Sequence, residues 1–112
     1  MREITNITDA PHQRHTIVLE EKEIVLTLRF YPTIEQWCFD VEYDGHIVNG
    51  VKLSLGVLHI RNSNFPFDFV VINGSRAGID PFKLDDFVSE RCRLYIVDPA
   101  EMEIIRGVPV EI

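Results

Sequence analysis

Between His15 and Tyr43 apolar and polar residues change places at almost every step. His15, Ile17 and Leu19 alternate with Thr16, Val18 and Glu20. Ile24, Leu26, Leu28 and Phe30 alternate with Val25, Thr27 and Arg29, and Trp37, Phe39, Val41 and Tyr43 with Cys38, Asp40 and Glu42. A period of two sends successive side chains to opposite sides, so the pattern predicts three half-buried strands. A two-residue loop at Glu21-Lys22 would pair Leu19 with Ile24 and Ile17 with Leu26. A four-residue loop from Pro32 to Glu35 would pair Phe30 with Trp37, Leu28 with Phe39 and Leu26 with Val41. Both registers collect the large apolar residues on one face, and a one-residue slip would turn that whole set to solvent, so the register is specified. On the other face Arg29 falls diagonal to Asp40, a solvent-side pair of small energetic value.

Asp44-Gly45 is a strong hairpin signal. A two-residue turn there and a bulged turn differ in whether His46 or Ile47 faces the core, and the sequence leaves both open. After Asn49-Gly50 comes a short strand, Val51-Lys52-Leu53. Leu55 to Ile60 and Phe67 to Ile72 are two further strand candidates, separated by a loop from Arg61 to Pro66. Asn73 to Gly78 reads as a loop, Asp80-Pro81-Phe82 as a compact turn, and Leu84 to Glu90 as one short helical turn. Arg93 to Val97 is the last core strand, ended by Asp98-Pro99. Val108, Val110 and Ile112 alternate once more, with Pro109 removing one ladder donor. Short strands with frequent turns predict an all-β fold: a single small β-sandwich or partly open β-barrel, built from a meander and short Greek-key-like strands. The expected organisation is an N-terminal arm over 1–14, a β-domain over 15–98, and a C-terminal arm or extra strand over 99–112.

Composition narrows the partners. The chain has 112 residues, 46% hydrophobic and 26% charged, which suits one globular domain with a thin stability margin. Eleven basic against 18 acidic side chains give a net charge of -7. Affinity for nucleic acid rests on Lys and Arg displacing counterions, so that balance argues against a nucleic-acid partner, and equally against an anionic membrane surface. The longest apolar run, Phe69 to Ile72, has four residues, far short of a span. Met1 to Asn6 shows no basic region leading into an apolar stretch, so no signal peptide is expected. Cys38 and Cys92 fit no zinc or redox spacing and are expected to be free thiols in a reducing cytoplasm.

Candidate chemistry is sparse. His12-x-x-His15 has the spacing for two metal ligands but lacks a third, and His15 falls on the apolar face of its strand. Asp80, Asp85, Asp86 and Glu90 lack the alternation and the glycine of a calcium loop; Asp80 suits a turn and Asp85 or Asp86 a helix cap. Asn73 to Gly78 has no GK[ST] ending, so it is not a phosphate-binding loop. No catalytic, cofactor-binding or metal-binding residues are assigned, and no cofactor is implied. Two apolar stretches are candidate partner contacts. Phe65 and Phe67 lie at period two and are either core aromatics or, if the preceding loop is exposed, an anchor for a partner's pocket. Val108, Val110 and Ile112 are too few to form a sheet alone, so they pair with this domain or add to a neighbour's edge.

The layout resembles a known family. A polar N-terminal stretch with Pro11 leads into Trp37-x-Phe39-Asp40-Val41 and Asp44-Gly45, then Gly50-Val51-Lys52-Leu53, Gly56-Val57-Leu58 and Phe65-Pro66. Asp80-Pro81 and Asp85-Asp86-Phe87 precede Arg93-Leu94-Tyr95-Ile96. Over residues 11–98 this is similar to the small baseplate plug proteins of contractile-tailed bacteriophages, the cyanophage-type plug family. The resemblance implies a structural virion protein of the tail baseplate, made in the host cytoplasm. It would meet hub, spike and tube-end proteins at the end of the tail tube, as a homo-oligomer (trimer or hexamer). The family supplies no catalytic residues to carry over. The alternative is a solitary β-fold module that recognises a peptide or sugar, which needs an exposed aromatic platform; the alternation around Trp37 places that residue inside. A small enzyme using the acids at 80–90 ranks last.

Overall fold

A computed structural model describes residues 1–61, 63, 65–73 and 79–102. Among these residues seven strands form: β1 (Arg2–Glu3), β2 (His12–Leu19), β3 (Lys22–Tyr31), β4 (Gln36–Tyr43), β5 (His46–Lys52), β6 (Asp68–Asn73) and β7 (Cys92–Val97). They make two antiparallel sheets, ordered β2-β3-β4-β5 and β1-β7-β6. The sheets face each other without closing into a barrel, so of the two expected forms the sandwich is the one adopted.

The meander follows its pattern. β3 and β4 pair Phe30 with Trp37, Leu28 with Phe39 and Leu26 with Val41, as expected. Arg29 and Asp40 form an ion pair on the outer face. The β2–β3 register differs by two residues: Leu19 pairs with Lys22 and Ile17 with Ile24. The turn is therefore Glu20-Glu21, and both residues adopt positive φ (50° and 67°). That is the backbone of a two-residue hairpin turn, which normally favours Gly or Asn, and acidic side chains hid it. The shift is even, so every side chain keeps its face, and Ile17 still lies among the buried residues.

At Asp44-Gly45 the turn also has two residues, with φ of 51° and 79°, and Tyr43 pairs with His46. His46 thus shares the Tyr43 side, while Ile47 stands on the outer face with 58% of its surface exposed. Beyond it the register shifts between Phe39 and Val41, so Val48 and Val51 pair with Val41 and Phe39. Three positions apart on a regular strand, Val48 and Val51 would face opposite ways; the bulge turns both onto the core. Gly50 makes the bulge possible, with φ of 68° and its N–H donated to Asp40 Oδ1 at 2.7 Å. A Cβ there meets no heavy atom within 4 Å, so Gly50→Ala should be costly only through left-handed strain, about 1–2 kcal/mol. Urea titration should show Gly50→Asn losing less than Gly50→Ala; equal losses would mean that the glycine serves something other than φ.

Two sequence expectations change. Leu55 to Ile60 is not a strand; it contributes one isolated bridge, Leu55 to Val71, with Gly56 N–H donated to the Val71 carbonyl at 2.9 Å. Several donors here go to side chains, Leu55 N–H among them, accepted by Asp80 Oδ1 at 2.9 Å. Ser54 N–H is accepted by His59 Nε2 at 2.8 Å, and His59 and Ile60 N–H by Asp68 Oδ1 at 2.9 Å each. Leu84 to Glu90 is a run of turns, tied by Ser89 N–H to the Asp85 carbonyl (2.8 Å), and not a regular helix.

The chain ends are also placed differently from free arms. Arg2 and Glu3 pair with Ile96 and Tyr95, which adds an edge strand to β7. β2 begins at His12 rather than His15. After β7, residues 99–102 make one helical turn. Asp98 Oδ1 accepts the Glu101 N–H at 2.8 Å while Glu101 Oε1 accepts the Asp98 N–H at 3.2 Å, a reciprocal capping box. Glu101 Oε2 meets the Met1 ammonium at 2.6 Å, and Met102 is buried. Arg2–Glu3 and the 99–102 turn thus pack on the sheets. Val108, Val110 and Ile112 lie outside the described residues.

Candidate interaction surfaces

The space between the sheets is filled with rings. Trp37, Phe39, Phe67 and Phe69 are fully buried. Phe39 and Phe69 meet edge-on at 5.4 Å across the sandwich, and Trp37 meets Phe87 at 5.5 Å. The Trp37 indole N–H, which could not be left unpaired there, is donated to the Lys83 carbonyl at 2.9 Å. Its burial agrees with the alternation and removes the one indole from any binding platform.

Phe65 and Phe67 belong to this same core. They stack at 5.4 Å and 10°, with Tyr43 edge-on to both at 5.8 and 5.1 Å. Phe67 has no exposed surface and Phe65 only 5%, at the margin of a 300 Å³ groove also lined by Tyr43, His46, Ile47 and Val48. Neither ring projects as an anchor; of the two readings the core one describes them.

The acidic group at 80–90 is divided among separate partners. Asp86 is buried, and its carboxylate takes a two-pronged contact from Arg91: Nε to Oδ1 at 2.8 Å and a terminal nitrogen to Oδ2 at 2.7 Å. Oδ2 also accepts the N–H groups of Phe82 and Lys83, both at 2.7 Å. Asp86 therefore caps the turn before it, not a helix after it. Arg91 also donates to the Ile79 and Asp80 carbonyls at 3.0 Å each and lies over the Phe82 ring. Burial alone would raise the Asp86 pKa, but the Arg91 hydrogen bonds, the two N–H groups and the guanidinium charge outweigh it and hold the carboxyl below its ordinary value. Asp80 accepts the Leu55 N–H at 2.9 Å and pairs with Lys52 at 3.5 Å. Among the described residues no three His, Cys, Asp or Glu side chains are grouped to hold a metal ion. His15 bonds to Gln13 at 2.7 Å, and burial lowers its pKa.

Sequence reading missed one buried junction. Asp68 Oδ1 accepts three backbone N–H groups, from His59, Ile60 and Phe69. His59 Nδ1 contacts the Phe69 carbonyl at 2.7 Å while Nε2 accepts from Ser54, so the proton must sit on Nδ1. This pair fastens the 54–60 segment to β6. Cys38 and Cys92 are both free. Burial pushes the Cys92 thiol up to about 11, which makes it a packing residue rather than a nucleophile.

What remains for partners is edges and outer faces. β2 and β5 border one sheet and β1 and β6 the other. Val18 and Ile47, on those borders, are more than half exposed, at 59% and 58%. A 340 Å³ groove runs between β1 and β2, lined by residues 2–6 and 15–18. No helix among the described residues is long and apolar enough to cross a membrane. Exposed sheet edges and shallow grooves are surfaces on which a neighbouring protein can dock. Against known families, the model described as cyanophage baseplate Pam3 plug gp18 matches residues 1–99. The chain belongs to the cyanophage baseplate plug family. No curated protein matches it.

The plug family is structural, and membership gives this protein a structural role in a phage tail baseplate, where it meets other baseplate components. The family match spans both sheets and stops at the first helical turn after β7. Residues beyond it, including Val108, Val110 and Ile112, lie outside the matched region.

Proposed function

We propose that this plug sits with the hub and spike at the end of the tail tube and closes or joins that region as a trimer or hexamer. The observation that carries the reading is the plug-family match over 1–99 on a domain whose β1, β2 and β5 edges carry no further strand among the described residues. Edge strands present unpaired backbone groups, and a symmetric ring is a way of covering them. Its net charge of -7 would also keep a DNA backbone passing through the tube from adhering. Synthesis in the host cytoplasm suits the two free thiols. In this reading Val108, Val110 and Ile112 carry contacts between copies.

Light scattering on the full chain and on a chain ending at Met102 tests this. The cut follows Met102 because that side chain is buried and its turn is capped. The expected result is a trimer or hexamer that becomes a folded monomer on truncation. A full chain that stays monomeric at high concentration would remove the ring and leave a protein ordered only by its baseplate neighbours.

A further inference from the structure

The seam between β1 and β2 has the form of a missing strand. In β2, Leu19 and Lys22 flank a two-residue turn, so they exchange hydrogen bonds; alternation from there points the backbone groups of Thr16 and Val18 away from β3. In β1, Ile4 donates its N–H to the Leu94 carbonyl at 2.8 Å, so the backbone of Glu3 is turned away from β7. Among the described residues no strand pairs with these two edges, and they border the 340 Å³ groove. The contact across it is a side chain: an Arg2 guanidinium nitrogen lies 3.4 Å from the outward Val18 carbonyl. The core margin beneath is unfinished, since Ile4, Ile7 and Leu19 pack against the core while staying only partly buried.

We infer that this seam receives the segment Val108–Ile112 of a neighbouring copy, which adds a strand between the two sheets. The inference rests on the ring reading above and names its contact. Residues 103–112 follow the buried Met102, whose turn is fastened to Met1 through Glu101. Each tail thus leaves its own domain beside one end of a seam. Ten extended residues reach about 33–36 Å, enough to cross to an adjacent copy. Val108, Val110 and Ile112 fall on one face of a strand and can complete the margin at Ile4 and Leu19. Pro109 and Glu111 fall on the other, and a strand so placed tolerates one missing donor against an edge as short as β1. Tail and seam are different surfaces of one molecule, so the contact is head-to-tail, the kind that generates a ring.

The test mixes two full-length proteins, Thr16→Cys and Glu111→Cys, whose side chains share the outer face in this arrangement, each in a background carrying Cys38→Ser and Cys92→Ala, with Trp37 fluorescence confirming the fold. Oxidation of the mixture is expected to yield covalent heterodimers, at least tenfold more abundant than in either protein alone. The double variant is expected to give a ladder of covalent oligomers. A double variant that cross-links only within monomers, with no heterodimer from the mixture, would show the tail filling its own seam and overturn the proposal. Thr16→Pro, which removes an outward donor and leaves the β3 ladder intact, is expected to dissociate the ring to monomer. If the full chain is oligomeric, truncation after Met102 dissociates it, and Thr16→Pro does not, the seam is the wrong receptor while the ring stands. If the full chain is monomeric, the ring itself has failed.

Discussion

Arg91→Ala is expected to lower the free energy of unfolding by about 3–5 kcal/mol, the usual loss when one partner of a buried ion pair is removed. Arg91 is the common tie of the 79–91 loop, reaching the Asp86 carboxylate and the carbonyls of Ile79 and Asp80. Without it the Asp86 charge remains buried against two N–H groups alone. For a domain with roughly 5–15 kcal/mol in total, such a loss is a large share. Urea unfolding followed by Trp37 emission reports it directly, because Trp37 packs on Phe87 in the same loop. Arg91→Lys should recover only part, since an ammonium cannot make the forked contact. A loss below about 1 kcal/mol would mean that the pair behaves as an exposed one.

The same pair sets an acid limit. Asp86 titrates below its ordinary 3.8 in the folded chain, so the folded state binds fewer protons there than the unfolded state. Its stabilisation is fully present above the unfolded value and is lost as pH falls below it through the folded value. Acid unfolding curves of the wild type should show that loss below about pH 4. In Arg91→Ala it should shrink, because burial is then less strongly opposed. Equal acid sensitivity in both proteins would put the limit on other carboxylates.

Phe67→Ala is expected to cost about 3–5 kcal/mol, the range for deleting a buried ring that leaves a cavity. Phe67 has no exposed surface and touches Tyr43, Phe65 and Phe69 at ring distances of 5.1, 5.4 and 5.7 Å. Phe65→Ala should cost less, because its site opens onto a groove and can admit water or collapse. Stability and oligomeric mass measured on the same samples separate core from anchor. A Phe67→Ala protein with unchanged stability but lost assembly would return the ring to the partner surface.

Much of the sandwich could be read from local order. The β3–β4 register follows from alternation because burying one face penalises any odd slip. For the same reason Trp37, Phe39 and Val41 lie inside and Arg29 lies beside Asp40. A turn at Glu21-Lys22 and the observed one at Glu20-Glu21 satisfy the alternation equally, because a shift of two leaves every face unchanged. The plug-family layout was legible too, since it lies in the spacing of turns and aromatic positions along the chain.

Local order along the chain is enough to specify the meander, its inward face and the membership that spacing implies. Which backbone donors meet which side chains depends on the closed sandwich. Leu55–Ile60 has strand-like composition, yet Asp68 and His59 take its hydrogen bonds from across the fold. Asp86 reads as one more surface acid until Arg91, five positions on, folds back over it. Arg2 and Glu3 carry no pattern, because a two-residue strand is specified by the β7 edge it meets and not by its own side chains. Local periodicity reports which face is buried, whereas long-range polar pairing depends on which segments the closed sandwich brings together.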